Sequence, residues 1–385
     1  MTSEIHFGAE ARTLFALEEG PAFLNHGSFG ACPREVLAVQ ARLRDEMEAD
    51  PDRFMQSRVV PSEEGSALAR ARERMAAFLG APESSVAFVE NATGGIQAVL
   101  RSVRLEAGDE ILITDHQYNA VRLAVVDACE RAGARPVIAH VPLSASAEEA
   151  VEAVVAKAGP KTRLAILDQI ASTSTLVLPV VEMARALKAR GVKVAIDAAH
   201  VVGQTPLEAR SMGADWLTTN AHKWLFAPRG CALLYAAAEA APLTRPVIVS
   251  HFIELGFPLS FDYVGTRDAT AWLAAPAAVE FFERLGPARL RTWNAGLIAH
   301  ASHLMEGLGA APAGPMASAP AMRAFVLPTR GEARIGEALA LRAELWREER
   351  IGIAAGVQEG KLLLRLCAQA YVEPADFERL AAALA

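Results

Sequence analysis

VKVAIDAAHVVGQTPLEARSMGADWLTTNAHKWLFAPRGCALLYA, residues 192–236, is the stretch that decides the fold. It cuts into strand, acid, short helix, strand, lysine and strand. Val192, Val194, Ala195 and Ile196 form a short apolar run broken by Lys193, and the run ends at Asp197. Trp216, Leu217, Thr218 and Thr219 form a second run, followed by Asn220, Ala221, His222 and Lys223. Cys231 to Tyr235 is a third. Runs this short suit buried strands of a sheet covered on both faces. An acid at the carboxyl end of one strand and a lysine just past the end of the next then face one crevice. In open α/β sheets that edge is where ligands bind.

Working outward, the same rhythm extends upstream. Strands are expected near 86–89, 111–114, 136–140, 164–168, 193–197, 216–219 and 231–235. Helical patterns fill the gaps at about 94–104, 118–132, 147–158 and 180–190. Such alternation points to parallel βαβ units and an α/β fold. The link from Lys223 to the 231–235 strand is too short for a helical crossover, so that strand is expected to be antiparallel. Before the first strand, Pro33 opens a helix that stops near Pro51, and a second helix runs from about Ser62 to Leu79, with Gly80 as its stop. Past residue 245 the rhythm changes. Helices near 270–285 and 287–308 are followed by a Pro/Gly-rich loop, a strand near 323–327, a helix near 336–349, a strand at 361–367 and a closing helix at 375–384.

Composition sets outer bounds. The 385 residues suffice for two domains, and 52% apolar residues supply ample core. A net charge of −7 with no long basic run argues against a nucleic-acid surface. Cys32, Cys129, Cys231 and Cys367 are far apart, with no CxxC or metal spacing, which fits reduced, buried thiols and a cytoplasmic setting. No signal peptide and no membrane-spanning stretch is evident. No GxGxxG and no Walker lysine pattern occurs, so dinucleotide and nucleotide readings find no support.

Asp197 and Lys223 are 26 positions apart, so only the fold can bring them together. Taken singly, the acid reads as a helix cap and the lysine as a surface residue after a strand. Taken together, they suit pyridoxal phosphate. The lysine forms a Schiff base with the aldehyde, and a buried carboxylate keeps the pyridine nitrogen protonated. The string AIDAAH at 195–200 with the His222–Lys223 dipeptide resembles the class V aminotransferase family of fold type I pyridoxal phosphate enzymes. FLNHGSFG at 23–30 and GTRD at 265–268 resemble its isopenicillin N epimerase-like members, which are related to cysteine desulfurases. The resemblance implies a large cofactor domain with a mostly parallel seven-stranded sheet and a smaller C-terminal α+β domain. On this chain that gives an arm at 1–20, a large domain at 21–260 and a small domain at 261–385.

The site follows, residue by residue. Asn91 to Gly95 form a strand-to-helix turn whose free N–H groups suit a phosphate; the plain alternative is a capped helix. By resemblance Thr93 and Gly94 contact the phosphate. The loop Asp115–Asn119 is expected to supply a ring that stacks on the cofactor, Tyr118 first and His116 in reserve. By resemblance His200 orients Asp197 or meets the ring hydroxyl, His222 contacts the phosphate, and Thr266 reaches the phosphate of a neighbouring subunit. That last role implies a homodimer with a shared active site. Arg365, set among leucines in KLLLRLC, has a planar fork that can hold a carboxylate, and by resemblance it grips the substrate α-carboxylate; the alternative is an edge-strand arginine facing solvent. His26 and Gln169 are placed on the substrate side. Many relatives carry histidine where this chain has Gln169, which hydrogen-bonds but cannot act as a general base.

The resemblance implies an enzyme for an amino acid or amino-acid-derived small molecule, working by Cα deprotonation of its Schiff base. An epimerase-like activity is the first reading; a C–S or other β-lyase and a true aminotransferase are alternatives. A cysteine desulfurase is not expected, because residues 350–361 hold no cysteine ahead of Arg365, and Cys367 follows it on the strand. A pyridoxal phosphate-binding protein without catalysis would lack a clamp such as Arg365. A metal site is not expected either: His300 and His303 have suitable spacing but no carboxylate or cysteine in their segment.

Overall fold

Seven apolar runs pair into one sheet in the computed structural model, which describes residues 5–62 and 65–385. The start of the 1–20 arm, and positions 63 and 64 of the helix expected from Ser62, lie outside the described residues. The strands are β1 (Val86–Val89), β2 (Glu110–Thr114), β3 (Arg135–Ala139), β4 (Thr162–Asp168), β5 (Lys193–Asp197), β6 (Trp216–Thr219) and β7 (Ala232–Ala236). Their order across the sheet is β1-β7-β6-β5-β4-β2-β3. Strands β2 to β6 pair in parallel, and β7 runs antiparallel to both β6 and β1. The short link after Lys223 thus produced the expected reversal.

Successive residues of each central strand enter different cores. Val194 and Ile196 join one cluster with Met183 and Leu187 of helix Val180–Lys188. Ala195, Ile113 and Ile166 join another with Ile96 and Val99 of helix Ala92–Ser102 and Val121 of helix Asn119–Ala132. Side chains alternate across a strand, so a sheet with helices on both faces needs apolar residues at every position. That is why these runs lack polar alternation. Each fully buried Leu, Ile or Val contributes about 1.5–3 kcal/mol of transfer free energy.

The later part builds an antiparallel four-stranded sheet in the order Ala354–Gln358, Lys361–Cys367, Met322–Val326, Ala311–Pro312. The first of these strands goes unmarked in the sequence, since AAGVQ holds one β-branched residue and no alternation. It pairs with Lys361–Cys367 through a tight turn in which Glu359 (φ 50°) and Gly360 (φ 67°) both take left-handed conformations. Such two-residue hairpins require that geometry. The long helix expected at 270–285 divides into Thr270–Leu273 and Ala275–Leu285, with Pro276 in the first turn of the second piece. At the other end, Ala22 and Phe23 pair in parallel with Ile351 and Gly352, and Gly8 N–H donates to Ala370 O at 2.7 Å. Gly8, Ala22 and Phe23 therefore lie against the C-terminal part of the chain. We propose a domain division near residue 260, with those N-terminal residues joined to the C-terminal unit.

Candidate active site

Strands β4, β5 and β6 are in register and end at one edge. Asp168 lies beside Asp197, and Asp197 beside Thr218. Beyond Thr219 the chain turns through Asn220, Ala221 and His222 to Lys223, so both the acid and the lysine reach the same crevice. A cavity of about 440 Å³ opens there, lined among others by Asn91, Thr93, Tyr118, Asp168, Asp197, His200, His222 and Lys223.

Lys223 Nζ lies 3.2 Å from His200 Nε2. Trp224 Nε1–H donates to His200 Nδ1 at 3.4 Å. Burial, with the charges of Lys223 and Arg365, holds His200 well below the usual imidazole range, so it is neutral. An indole N–H only donates, so Nδ1 must accept and the ring proton resides on Nε2. Nε2–H then points at the lysine nitrogen, an arrangement that favours a free amine. Burial and the nearby Arg365 push Lys223 down to about 8, with Asp197 opposing.

Asp168 and Asp197 are both buried. Asp197 Oδ1 accepts from Ala199 N–H at 3.0 Å. Asp168 receives the backbone N–H of Tyr118, yet its Oδ2 has no hydrogen-bond partner. Burial and then the neighbouring Asp197 carry Asp168 well above the ordinary carboxylate range. Burial raises Asp197 as well, but the Ala199 N–H and the charge of Lys223 oppose the rise. Neighbouring buried carboxyls disfavour double ionisation, and of the two Asp197 has the partners that favour its anion.

At the other end of the cavity, the helix Ala92–Ser102 starts at Asn91, whose Oδ1 accepts from Gly94 N–H at 2.8 Å. Ala92 N–H donates to Asn220 Oδ1 at 2.9 Å. Thr93 lines the cavity, whereas Gly94 is outside its wall with its N–H on the Asn91 cap. His222 Nδ1–H donates to Cys231 O at 2.8 Å, and burial holds this histidine down at about 4. Its Nε2 is left for a ligand, and a dianion there would draw a proton onto it.

Tyr118 lines the cavity and stays half exposed. His116, the reserve choice, is buried elsewhere, between Ser174 Oγ at 3.0 Å and Val141 O at 2.8 Å. Gln169 is not in the wall; Ile170 and Ser172 of the same loop are. Strand alternation turns Gln169 away from the face that Asp168 presents. His26 is also outside the wall, fully buried beneath it with Nε2 2.9 Å from Lys223 O. On this geometry we propose neither residue as a direct substrate contact. Thr266 is exposed and touches Tyr263 OH at 3.3 Å, away from this cavity.

Arg365 is buried and enclosed rather than solvent-facing. Its Nη1 donates to Ser172 O at 2.7 Å and Ser172 Oγ at 3.2 Å, and its Nη2 to Asn25 Oδ1 at 3.0 Å and Ser28 Oγ at 2.8 Å. Its Nε has no partner. The guanidinium itself does not line the cavity, but Ser28 and Ser172 do. A carboxylate entering here has to displace the two hydroxyls as acceptors, and each hydroxyl can then rotate to donate. Ser28 and Phe29 are site residues that sequence reasoning left unassigned, although FLNHGSFG contains them; Asp168 and Ser172 fall in the DQIAS stretch, which the resemblance places near the ring hydroxyl and the substrate without giving either a role. Among the described residues, no group of three metal-ligating side chains gathers, and His300 Nε2 lies 3.3 Å from Glu378 Oε1.

Comparison with known proteins gives four results. The family model for aminotransferase class-V matches residues 30–343. Isopenicillin N epimerase from Amycolatopsis lactamdurans is 33% identical, with 98% of this chain and 97% of that one covered. A putative L-cysteine desulfhydrase from Oryza sativa subsp. japonica is 37% identical over 69% of this chain; the match spans 58% of the rice protein's length. Among solved structures, a variant of the protein C-DES with glycine covalently linked to its PLP cofactor superposes with a TM-score of 0.80, covering 97% of this chain and 98% of that one. At 21% identity the last likeness shows the shared fold.

Proposed function

This chain belongs to the aminotransferase class-V family, and from that premise we propose a pyridoxal phosphate-dependent enzyme that removes the Cα proton of an amino acid or amino-acid-derived substrate. The observation that carries the proposal is the meeting of Lys223 and Asp197 in one buried cavity, with a neutral histidine on the lysine nitrogen. The residues fit the cofactor. Asp197 suits its ring nitrogen, Tyr118 its ring face, and His200 its hydroxyl. Thr93, at the start of a helix, and Nε2 of His222 suit its phosphate. The buried Asp168 Oδ2 without a partner marks a polar surface meant to be covered.

When bound, the cofactor draws electrons from the substrate Cα and makes its proton acidic. Lys223 Nζ takes that proton and returns it. His200 Nε2–H directs the lone pair of Nζ and keeps the amine free before use. Asp197 holds a proton on the ring nitrogen by its negative charge. Arg365, with Ser28 and Ser172, holds the substrate carboxylate and so fixes which Cα bond faces the amine.

An epimerase-like reaction is our first reading, since the Amycolatopsis protein aligns over nearly the full length. A C–S lyase is the alternative that the rice relative favours, and a true aminotransferase uses the same side chains. Persulfide-forming desulfuration is outside the proposal. All four cysteines are free and buried, and the hairpin before Arg365 holds none until Cys367. Burial also pushes the Cys367 thiol up, away from reactivity. Buried free thiols fit the cytoplasmic setting we propose. Among the described residues no helix is long and apolar enough to cross a membrane.

The deciding experiment is incubation with an amino-acid panel in deuterium oxide. Deuterium at Cα with change of chirality is the expected result. Pyruvate with ammonia assigns a lyase, and keto acid an aminotransferase. A protein that takes up no pyridoxal phosphate and exchanges no Cα proton ends the proposal.

We further propose that a second copy of the chain closes the cavity. Phe29 is 64% exposed at its mouth, and Val247, Ile248 and Val249 form an exposed apolar run beside the helix start at Gly94. Soluble surfaces seldom leave such patches bare. Sedimentation is expected to give twice the chain mass, and Ile248→Asp to shift it towards the monomer with loss of activity. A fully active monomer would exclude a shared site.

A further inference from the structure

We propose that His26 is a positioning residue, which fixes the backbone of Lys223 in a tautomer imposed by Tyr371. This rests on the reading of Lys223 as the cofactor-bearing lysine. His26 is fully buried, with Nε2 2.9 Å from Lys223 O and Nδ1 2.7 Å from Tyr371 Oη. A carbonyl only accepts, so Nε2 carries the hydrogen. Burial pushes the imidazole down to about 3, so the ring is neutral and Nδ1 is bare. Tyr371 O–H therefore donates to Nδ1, helped by Ala31 N–H at 3.4 Å. Two donors on Nδ1 exclude the other tautomer. The imidazole is also caged by Trp224 and Phe226, at ring-centre distances of 5.0 and 5.6 Å, so it cannot turn over.

The rest of the 25–30 loop presses on the same backbone. Gly30, at φ 69°, lies so close to His222 O that a Cβ there would collide with it. Arg229 Nη2–H holds Gly30 O at 3.0 Å. Asn25 and Ser28 of the loop hold Arg365, and Tyr371 follows Arg365 by six residues. One loop thus ties the carboxylate end of the site to the lysine end. The only other hydrogen bond to Lys223 O among the described residues comes from Phe226 N–H at 3.4 Å, so loss of the imidazole N–H leaves that carbonyl nearly unheld. Misplacing a reacting group by about 1 Å costs up to roughly a hundredfold in rate.

Nitrogen NMR of the cofactor-free protein is expected to report a protonated Nε2 and a bare Nδ1 for His26, and Tyr371→Phe to shift the Nδ1 resonance as its shorter donor is lost. Tyr371→Phe keeps the buried ring, so folding is preserved while the donor is removed. In the loaded enzyme it should lower kcat about tenfold or more with KM changed less than about twofold, and shift the pH midpoint of the visible band. His26→Gln, whose amide N–H can reach Lys223 O, should retain most of the activity that His26→Ala loses. The proposal is overturned by an Nδ1–H tautomer in the native protein. It is equally overturned by a Tyr371→Phe enzyme with native kcat and midpoint, or by a His26→Gln variant no better than His26→Ala. A protein that takes up no pyridoxal phosphate would sink the functional proposal instead, and the nitrogen spectrum would still decide this one.

Discussion

Lys223→Ala is expected to abolish the visible band of the cofactor-loaded protein and to cut turnover by at least about 10³-fold, since it removes both the attachment point and the proton-transfer base. Neither role has a substitute nearby. His200 is neutral and held below the usual range by burial, so it cannot take over as a base near neutral pH. His222 is engaged on Cys231 O and lies on the phosphate side. Absorbance and steady-state rates measure both effects. A companion experiment needs no turnover. Lys223 lies at about 8, lowered first by burial and then by Arg365. Only the free amine attacks an aldehyde, and each pH unit below the pKa leaves about tenfold less of it. Uptake of pyridoxal phosphate by the cofactor-free protein should therefore rise with pH and level off above about 8, whereas an ordinary lysine would level off near 10.4. A plateau near the ordinary value, or a coloured and active Lys223→Ala enzyme, would remove this lysine from the centre of the chemistry.

The second large effect is expected at the carboxylate end. Arg365→Ala should lower kcat/KM for an amino acid by about 30- to 5,000-fold, the range for truncating one partner of a buried charged pair at about 2–5 kcal/mol. Most of the loss should appear in KM. The same variant should handle an amine without a carboxylate almost as well as the native enzyme does. The environment explains why lysine is a poor replacement. Four acceptors surround the terminal nitrogens of Arg365, two of them hydroxyls that a carboxylate can displace. An ammonium lacks the planar fork that reaches them together. If Arg365→Ala binds amino acids normally, the arginine only braces the loops at 25–28 and 172, and the carboxylate is held elsewhere. Thermal unfolding of the variant separates those cases, since a brace alone would lower stability without discriminating substrates.

The strand sequence of the large sheet was readable because each strand is fully covered. A strand buried on both faces must be apolar at consecutive positions, and β4 and β5 show this over LAIL and VAI. Helix ends were readable where a cap marks them: Asn91 and Ser146 each bond a backbone N–H three residues on. Ala354–Gln358 escaped because half-buried glycine and alanine carry no pattern. The facing of Gln169 was not legible because a one-residue step along a strand end changes the face, and only the register of β4 against β5 fixes which residue looks inward. The surroundings of His26 were hidden for a different reason. Its neighbours in NHGS suggest a binding loop, and nothing local shows that its ring turns down onto residue 223 and across to residue 371.

By itself, the amino-acid order determined the alternating α/β architecture, the antiparallel seventh strand, and the candidacy of Lys223 and Asp197. These follow from interactions over a few residues: apolar runs, caps, and a link too short to cross over. The tertiary structure alone decided that Asp168 shares its burial with Asp197, that Ser28 and Ser172 rather than Arg365 face the cavity, and that His26 supports Lys223 from below. Those contacts join residues 29 to 345 positions apart. Their geometry depends on how whole sheets and loops pack, for which no local pattern of residues is a record.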